Sequence, residues 1–218
     1  METVCKSPAE VAESVACTIG PKKAQANFLF LSVMGILAGV YIAFGAQLAT
    51  MVGHDAATFL GVGVQKLLAG SVFSVGLMMV VIAGAELFTG NNLVMISVLD
   101  GKASVLSLLR NWVIVYFANF AGSLLIAWLI TQTGLLGTNG GAVGVSALNI
   151  AKTKVGLTFM QAFSRGILCN WLVCLAVWMA LASRTVIGKI FACFFPIMAF
   201  VTSGFEHSVA NMYFIPVA

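Results

Sequence analysis

Two short polar stretches interrupt apolar segments of this chain. The first, residues 84–92, holds a carboxylate, a hydroxyl and two amides. The second, residues 202–208, holds Glu206 beside His207. Ionisable groups are costly in a hydrocarbon environment, and within membrane segments they mark pathways for ions, protons or substrates. These two stretches are therefore the candidate functional sites.

The elements that carry the two stretches are predicted to be broken helices. Residues 67–99 as one straight helix would measure about 50 Å, well beyond a hydrocarbon core of about 30 Å. The apolar run 190–201 is too short to cross, and it resumes at 209–218. Irregular backbone at membrane depth is tolerated only where it is buried in protein or lines a wet cavity. Broken helices with polar groups at the break are typical of transport sites.

The composition indicates an all-α polytopic membrane protein. The 218 residues are 61% apolar and only 8% charged, against about 25% charged in soluble domains. The basic residues behind the net charge of +4 are dispersed, which argues against a nucleic-acid partner. The five cysteines form no Cys-x2-Cys pair, so neither a metal nor another cofactor is predicted.

Residues 1–23 are predicted to form a cytoplasmic amphipathic helix, and residues 24–218 a transmembrane domain. Ser7 and Glu10 form a capping box around a proline at the first helical position. The helix should stop at residues 20–21, and no cleavable signal peptide is expected. The helix lies at the membrane surface or plugs a vestibule, or it has no role in the mechanism.

Unbroken spans are predicted near residues 28–50, 112–130 and 157–182. One broken span follows the first of these and the other follows the third. A long loop rich in Gly, Thr and Asn is expected at 134–153, before Lys154. Six Lys/Arg residues against three fall on one side, which predicts a cytoplasmic amino terminus.

The two polar stretches share a pattern. Gly84-x-Glu86-x4-Asn91 recurs as Gly204-x-Glu206-x4-Asn211, offset by 120 residues. Because three spans separate the equivalent helices, the halves should be inverted in the membrane. The repeats would cover about 27–133 and the chain from about 155. The third span of the second repeat maps beyond Ala218, so a sixth span is expected to be missing.

Three motifs identify a family resemblance. They are Glu86-Leu-Phe-Thr-Gly, Cys169-Asn-Trp-Leu-Val-Cys174 and Ser203-Gly-Phe-Glu-His-Ser-Val-Ala-Asn-Met212, and they resemble the formate/nitrite transporter family. The resemblance implies an aquaporin-like fold of three plus three spans in an inverted repeat. It also implies a multi-pass protein of the inner (plasma) membrane, assembled as a homopentamer around a lipid-plugged hole. Each protomer would hold one pore for a small anion.

Site residues follow by motif from the resemblance. It implies that Thr89 on the first break faces His207 on the second across the pore, with Lys154 as the vestibule cation. Polar support would come from Asn170, Glu206 and Asn211. Apolar constrictions would be formed by Phe73, Leu77, Leu87, Phe88 and Phe200.

The substrate implied is a weak-acid anion. Residues 147–150 are similar to formate members and favour formate, whereas Glu86 and Arg165 resemble nitrite and hydrosulfide members. Desolvation favours the neutral acid, so His207 or water would supply a proton for passage. Alternatively the substrate stays anionic, paired with protonated His207 and the Thr89 hydroxyl.

Each polar group also has a structural interpretation. His207 could be a neutral core histidine that holds the broken backbone through its hydrogen bonds. Glu86 and Glu206 could accept backbone N–H bonds or pair with a buried cation. Thr89 could cap a half-helix.

A membrane-embedded enzyme is the alternative from another class. It would use Glu206 and His207, or Cys169 and Cys174. The only other histidine, His54, falls in a predicted loop, so the converging groups that catalysis requires are lacking. The sequence therefore favours a transporter over an enzyme.

Overall fold

A computed structural model describes residues 5–218 as a helical bundle. Its α-helices are α1 (Pro8–Ser14), α2 (Gly20–Gln25), α3 (Phe28–Gly53), α4 (Ala56–Phe73), α5 (Val75–Met79), α6 (Met95–Leu99), α7 (Val105–Gln132), α8 (Ala142–Val155), α9 (Phe159–Ala182), α10 (Val186–Ser203) and α11 (Ser208–Phe214). Short π- or 3-10-helical turns cover Val15–Ile19, Val80–Gly84, Asn91–Val94 and Leu135–Gly137.

Within residues 5–218, five helical segments are long and apolar enough to cross a membrane. They are α3, the stretch Ala56–Gly84 with its kink at Gly61, α7, α9 and α10. The prediction of an all-α, multi-pass membrane protein is therefore confirmed.

Both predicted breaks are present. The first follows Gly84, whose φ of +90° turns the chain out of the helix, and helical structure resumes at Asn91. The second follows Ser203, where Gly204 has a φ of +76°. Glycine reaches this left-handed region without the Cβ clash that other residues suffer. The shared Gly-x-Glu pattern thus begins each break with its glycine.

The expectation that the second apolar run is too short to cross was wrong. The helix begins at Val186, capped by the Thr185 hydroxyl, which accepts from the Gly188 N–H. Its 18 residues include the first turn around Lys189, which a search for uninterrupted apolar residues leaves out. In the first broken span, helical structure begins earlier than Leu67, at Ala56, and is kinked at Gly61, whose φ is +78°.

The predicted loop at 134–153 was also wrong, because it contains most of α8. Val143 and Ala147 are buried on one face of this 14-residue helix. Its exposed positions mix apolar residues such as Val145 and Leu148 with polar ones such as Asn149 and Lys152, so the segment has no continuous apolar run. Lys154 therefore lies in the last turn of a helix.

The amino-terminal helix has the predicted start but a later end. The Ser7 hydroxyl and the Glu10 carboxylate form the capping box, and the Ser7 backbone N–H lowers the pKa of the Glu10 carboxyl. The helix does not stop at Gly20–Pro21. A π-turn leads directly into α2, where the proline occupies the first turn and no N–H is needed.

The helices α3 and α7 pack closely against each other through glycines. A Cβ on Gly39 would lie 2.0 Å from the Asn119 carbonyl oxygen, and a Cβ on Gly122 would lie 2.0 Å from that of Ile36. Small residues permit such close backbone approach between membrane helices. This contact fixes α7, whose asparagines support the first break.

We expect Gly39→Ala to lower the free energy of unfolding by about 1–3 kcal/mol, because the added methyl group forces the two backbones apart. Thermal melting in detergent measures the effect. Gly63→Ala is the matched control, since a Cβ there meets no atom within 4 Å. Equal melting temperatures for the two variants would contradict the close-contact interpretation.

Candidate functional site

Thr89 and His207 meet between the two breaks. The Thr89 Oγ1 lies 3.1 Å from the His207 Nε2, and both residues are buried. His207 is also the N-cap of α11, where its Nδ1 accepts the Ala210 N–H at 3.0 Å. Nδ1 can accept only when it carries no proton, so the ring is neutral with its proton on Nε2. The Nε2–H therefore donates to the Thr89 hydroxyl.

Two phenyl rings enclose this histidine. The Phe200 ring stacks on the imidazole at a centroid distance of 5.7 Å, and the Phe73 ring approaches it edge-on at 6.4 Å. The two phenyl rings lie 5.9 Å apart, and both are buried. The site is therefore a polar pair within an aromatic enclosure.

The other predicted constriction residues lie farther out. Leu77 and Leu87 are buried in the same hydrophobic core. Phe88 is half-buried and packs edge-on against Tyr116 on α7, at a centroid distance of 5.1 Å. The structure thus brings Phe73 and Phe200 to the histidine, and Phe88 to the neighbouring helix.

A cavity of about 770 Å³ reaches His207 and both phenyl rings. We call it the Lys154 cavity. Its charged lining residues are Lys66, Lys154, Arg165 and Glu206. Three cations and one carboxylate give the cavity an excess of positive charge.

Lys154 is ion-paired inside this cavity. Its Nζ lies 2.7 Å from Glu206 Oε2, and the Asn211 Nδ2 donates to the same oxygen at 2.9 Å. The Lys154 ammonium also lies 5.1 Å from the centroid of the Phe214 ring. The predicted site residues Lys154, Glu206 and Asn211 thus form one cluster.

The first break carries a matching cluster. The Lys23 Nζ lies 2.8 Å from Glu86 Oε1, and the Asn91 Nδ2 donates to Glu86 Oε2 at 2.7 Å. Lys23 and Glu86 line a second cavity, of about 540 Å³. Both Glu86 and Glu206 are therefore paired with a cation, which is one of the two structural roles predicted for them.

Lys23 is a residue of the site that none of the sequence motifs identified. A spacing signal was nevertheless present, because each lysine precedes the N-cap of a span by four residues. Lys23 precedes Asn27 at the start of α3, and Lys154 precedes Thr158 at the start of α9. The repeat therefore includes a lysine as well as the glutamate and the asparagine.

Asn119 on α7 holds the first break in place. Its Nδ2 donates to the Gly35 and Glu86 carbonyl oxygens at 2.8 and 2.9 Å. Its Oδ1 accepts the Phe88 N–H at 2.9 Å. One fully buried side chain thus satisfies three backbone groups around the irregular segment.

Asn170 does not contact the histidine directly. Its Nδ2 donates to the Cys174 Sγ at 3.4 Å, and that thiol donates to the Thr89 carbonyl oxygen at 3.7 Å. Asn170 thus reaches the polar pair through Cys174. It lies in a different contact chain from Glu206.

Two half-helix breaks, each bearing a Lys–Glu–Asn cluster, meet at a buried polar pair, and this arrangement defines a membrane transport protein. A family model described as formate/nitrite transporter matches residues 9–218. The chain belongs to the formate/nitrite transporter family. This membership confirms the predicted resemblance and a transport protein rather than an enzyme.

Relatives and solved structures share most of the chain. A probable formate transporter of Methanothermobacter thermautotrophicus is 47% identical, over 97% of this chain and 82% of its own length. The formate channel FocA of Escherichia coli K12 is 40% identical, over 96% and 73%. A pentameric formate channel with formate bound matches at 40% identity and a TM-score of 0.79, over 90% and 75%. An FNT family ion channel matches at 31% identity and a TM-score of 0.82, over 97% and 82%.

We expect Asn119→Ala to destabilise the protein strongly. Each buried backbone group left without a partner costs about 1–3 kcal/mol. The Glu86 C=O and the Phe88 N–H, both in the irregular segment, lose theirs, whereas the Gly35 C=O keeps its place in the α3 ladder. Asn92→Ala is the matched control, because the Asn92 side chain makes no hydrogen bond within residues 5–218. The measurement is the melting temperature of each variant in detergent. If Asn92→Ala lowered the melting temperature as much as Asn119→Ala, the role of Asn119 in supporting the first break would be contradicted.

We expect Lys154→Met and Glu206→Gln each to destabilise the protein, and the double variant to regain much of the loss. Removing one partner of a buried ion pair leaves the other uncompensated, which costs about 3–5 kcal/mol. Melting temperatures of the four proteins form a double-mutant cycle. Simple additivity of the two losses would show that the pair is energetically uncoupled.

Proposed function

We propose that this chain forms a homopentameric formate channel in the plasma membrane, with one pore in each protomer and a cytoplasmic amino terminus. Residues 1–23 would be the cytoplasmic segment and residues 24–218 the channel domain. The formate transporter and formate channels among the relatives, and the pentameric channel solved with formate bound, support this proposal. The contact of Thr89 with His207, a residue that lines a cavity with an excess of cations, is the observation that carries it.

Entry of the anion follows from the charge of the Lys154 cavity. Opposite charge raises the local concentration of a small anion, and low-dielectric walls focus that field. Salt screens the attraction over about 10 Å at 0.1 M ionic strength. Formate would therefore accumulate in the cavity before it meets the aromatic enclosure.

Passage past Phe73 and Phe200 favours the neutral acid. Loss of hydration raises the pKa of a carboxylate, and each pKa unit corresponds to about 1.4 kcal/mol. A rise of three units would cost roughly 4 kcal/mol, whereas desolvating an unpaired ion costs at least several. Protonation before the constriction is thus the less costly route.

The hydrogen bonds of His207 define how a proton could be supplied. The Nε2–H donates to the Thr89 oxygen, so the Thr89 hydroxyl hydrogen is free to bond a substrate oxygen. Nδ1 cannot take a proton until the Ala210 N–H bond opens. We therefore propose that, while the cap is closed, formate takes its proton from hydronium in the cavity water and leaves a neutral water behind. His207 can donate a proton only after the cap has opened and Nδ1 has taken one up.

His207→Asn tests the proton role. Asparagine is a good N-cap and can still accept the Ala210 N–H, so this variant removes the titratable ring and retains the cap. We expect formate flux into liposomes to fall at least tenfold, in line with the usual size of general acid–base effects, and its pH dependence to flatten.

The controls are retention of the melting temperature and of the oligomeric state by the variant. Unchanged flux with an unchanged pH profile would exclude a proton role for His207. It would favour passage of formate protonated by water alone.

Nitrite and hydrosulfide are the alternative substrates within the same proposal. Arg165 lines the Lys154 cavity, and this residue resembles members that carry those anions. Parallel liposome assays with formate, nitrite and hydrosulfide rank the three. If nitrite or hydrosulfide gave a higher flux than formate, that anion would be the preferred substrate in place of formate.

A further inference from the structure

The charge of Lys154 is largely compensated within its own cavity. Its side chain and that of Glu206 are 13% and 11% exposed, with the charged atoms 2.7 Å apart. An incoming anion therefore meets a dipole rather than a free cation. The excess positive charge of the cavity must come from other residues.

Lys66 is the first such residue. Its Nζ lies 3.9 Å from the position that a Cβ on Gly204 would occupy, beside the second break. Gly204 lines the Lys154 cavity, so the ammonium is at the cavity wall. Within residues 5–218 the Lys66 ammonium has no carboxylate partner and makes no hydrogen bond.

Arg165 is the second. It lies on α9, in the first half of the helix, and its carbonyl oxygen accepts the Glu206 N–H at 3.4 Å. The residue is half-buried and lines the same cavity. In the part of the chain that the structure describes, its guanidinium makes neither an ion pair nor a hydrogen bond.

The two cations thus come from different helices and are both anchored at the second break. The Lys66 carbonyl oxygen accepts from the Thr202 hydroxyl at 3.4 Å, on the side of the break formed by α10. Arg165 contacts the Glu206 backbone within the break itself. Both residues line the cavity through which an anion would reach His207.

We infer that Lys66 and Arg165 form the site that captures substrate anions in the Lys154 cavity, with Lys154 serving to hold Glu206. This inference rests on the proposed transport of a small anion. A guanidinium binds a planar oxyanion through two parallel hydrogen bonds, whereas an ammonium acts as a point charge. The site should therefore favour carboxylate and nitrite over hydrosulfide, which has no second acceptor atom.

Charge-removing variants test the capture site. We expect Lys66→Gln and Arg165→Gln each to raise the formate concentration for half-maximal liposome flux about two- to threefold at low salt, the Coulomb effect of one charge near the path in a wet cavity. The dependence of flux on ionic strength should weaken in parallel. Maximal flux should change little, because neither residue contacts the Thr89–His207 pair.

Lys152→Gln is the matched control. Lys152 is exposed in the last turn of α8 and does not line the cavity. Its substitution by glutamine removes the same charge as the two test variants. Arg165→Lys separates charge from shape. It should raise half-saturation for formate and nitrite and leave that for hydrosulfide unchanged.

The capture site would be overturned if Lys66→Gln and Arg165→Gln both showed the same half-saturating formate concentration and the same salt dependence as Lys152→Gln. That result would leave the proposed function intact. No flux of any of the three anions through the unmodified protein would overturn the proposed function and the capture site together. Arg165→Lys with wild-type half-saturation for formate would overturn bidentate recognition.

Discussion

The structure depends on satisfying backbone polar groups where two helices break inside an apolar bundle. Water is absent from the hydrocarbon region, so each free N–H and C=O must find a partner within the protein. Asn119 supplies two such partners at the first break, to the Glu86 C=O and the Phe88 N–H, and also donates to the Gly35 C=O of α3. At the second, His207 Nδ1 accepts the Ala210 N–H. The close packing of α3 on α7, at Gly39 and Gly122, brings Asn119 within reach.

The charged groups at the breaks also find their partners within the protein. Each break holds a largely buried glutamate, and each glutamate is paired with a lysine from the segment just before a span. Removing one partner of such a pair leaves the other poorly compensated, so we expect these lysines to contribute to stability. The lysine that the family resemblance implies as a vestibule cation is thus compensated. The cations able to act at longer range are others in the same cavity.

Several features could be predicted from the sequence because they depend on local pattern. The two breaks follow from polar residues and glycine within apolar runs too long or too short for one span. The repeat follows from the Gly-x-Glu-x4-Asn spacing. Prediction was wrong for α8, because one buried face of Val143 and Ala147 produces no apolar run. It was wrong for the start of α10, where the Thr185 cap and Lys189 lie outside the apolar segment.

The sequence by itself determined the membrane class, the number of long apolar segments and which residues interrupt them, since hydropathy and helix-breaking are properties of neighbouring residues. The family resemblance implied that Thr89 faces His207, but residue pattern alone did not determine which side chains meet, and the contacts themselves were decided by the tertiary structure. Thr89 and His207 are 118 positions apart, and Lys154 and Glu206 are 52 apart. Such contacts depend on how the helices cross. The neutral tautomer of His207 likewise depends on a hydrogen bond from the backbone of α11, which residue identity alone does not specify.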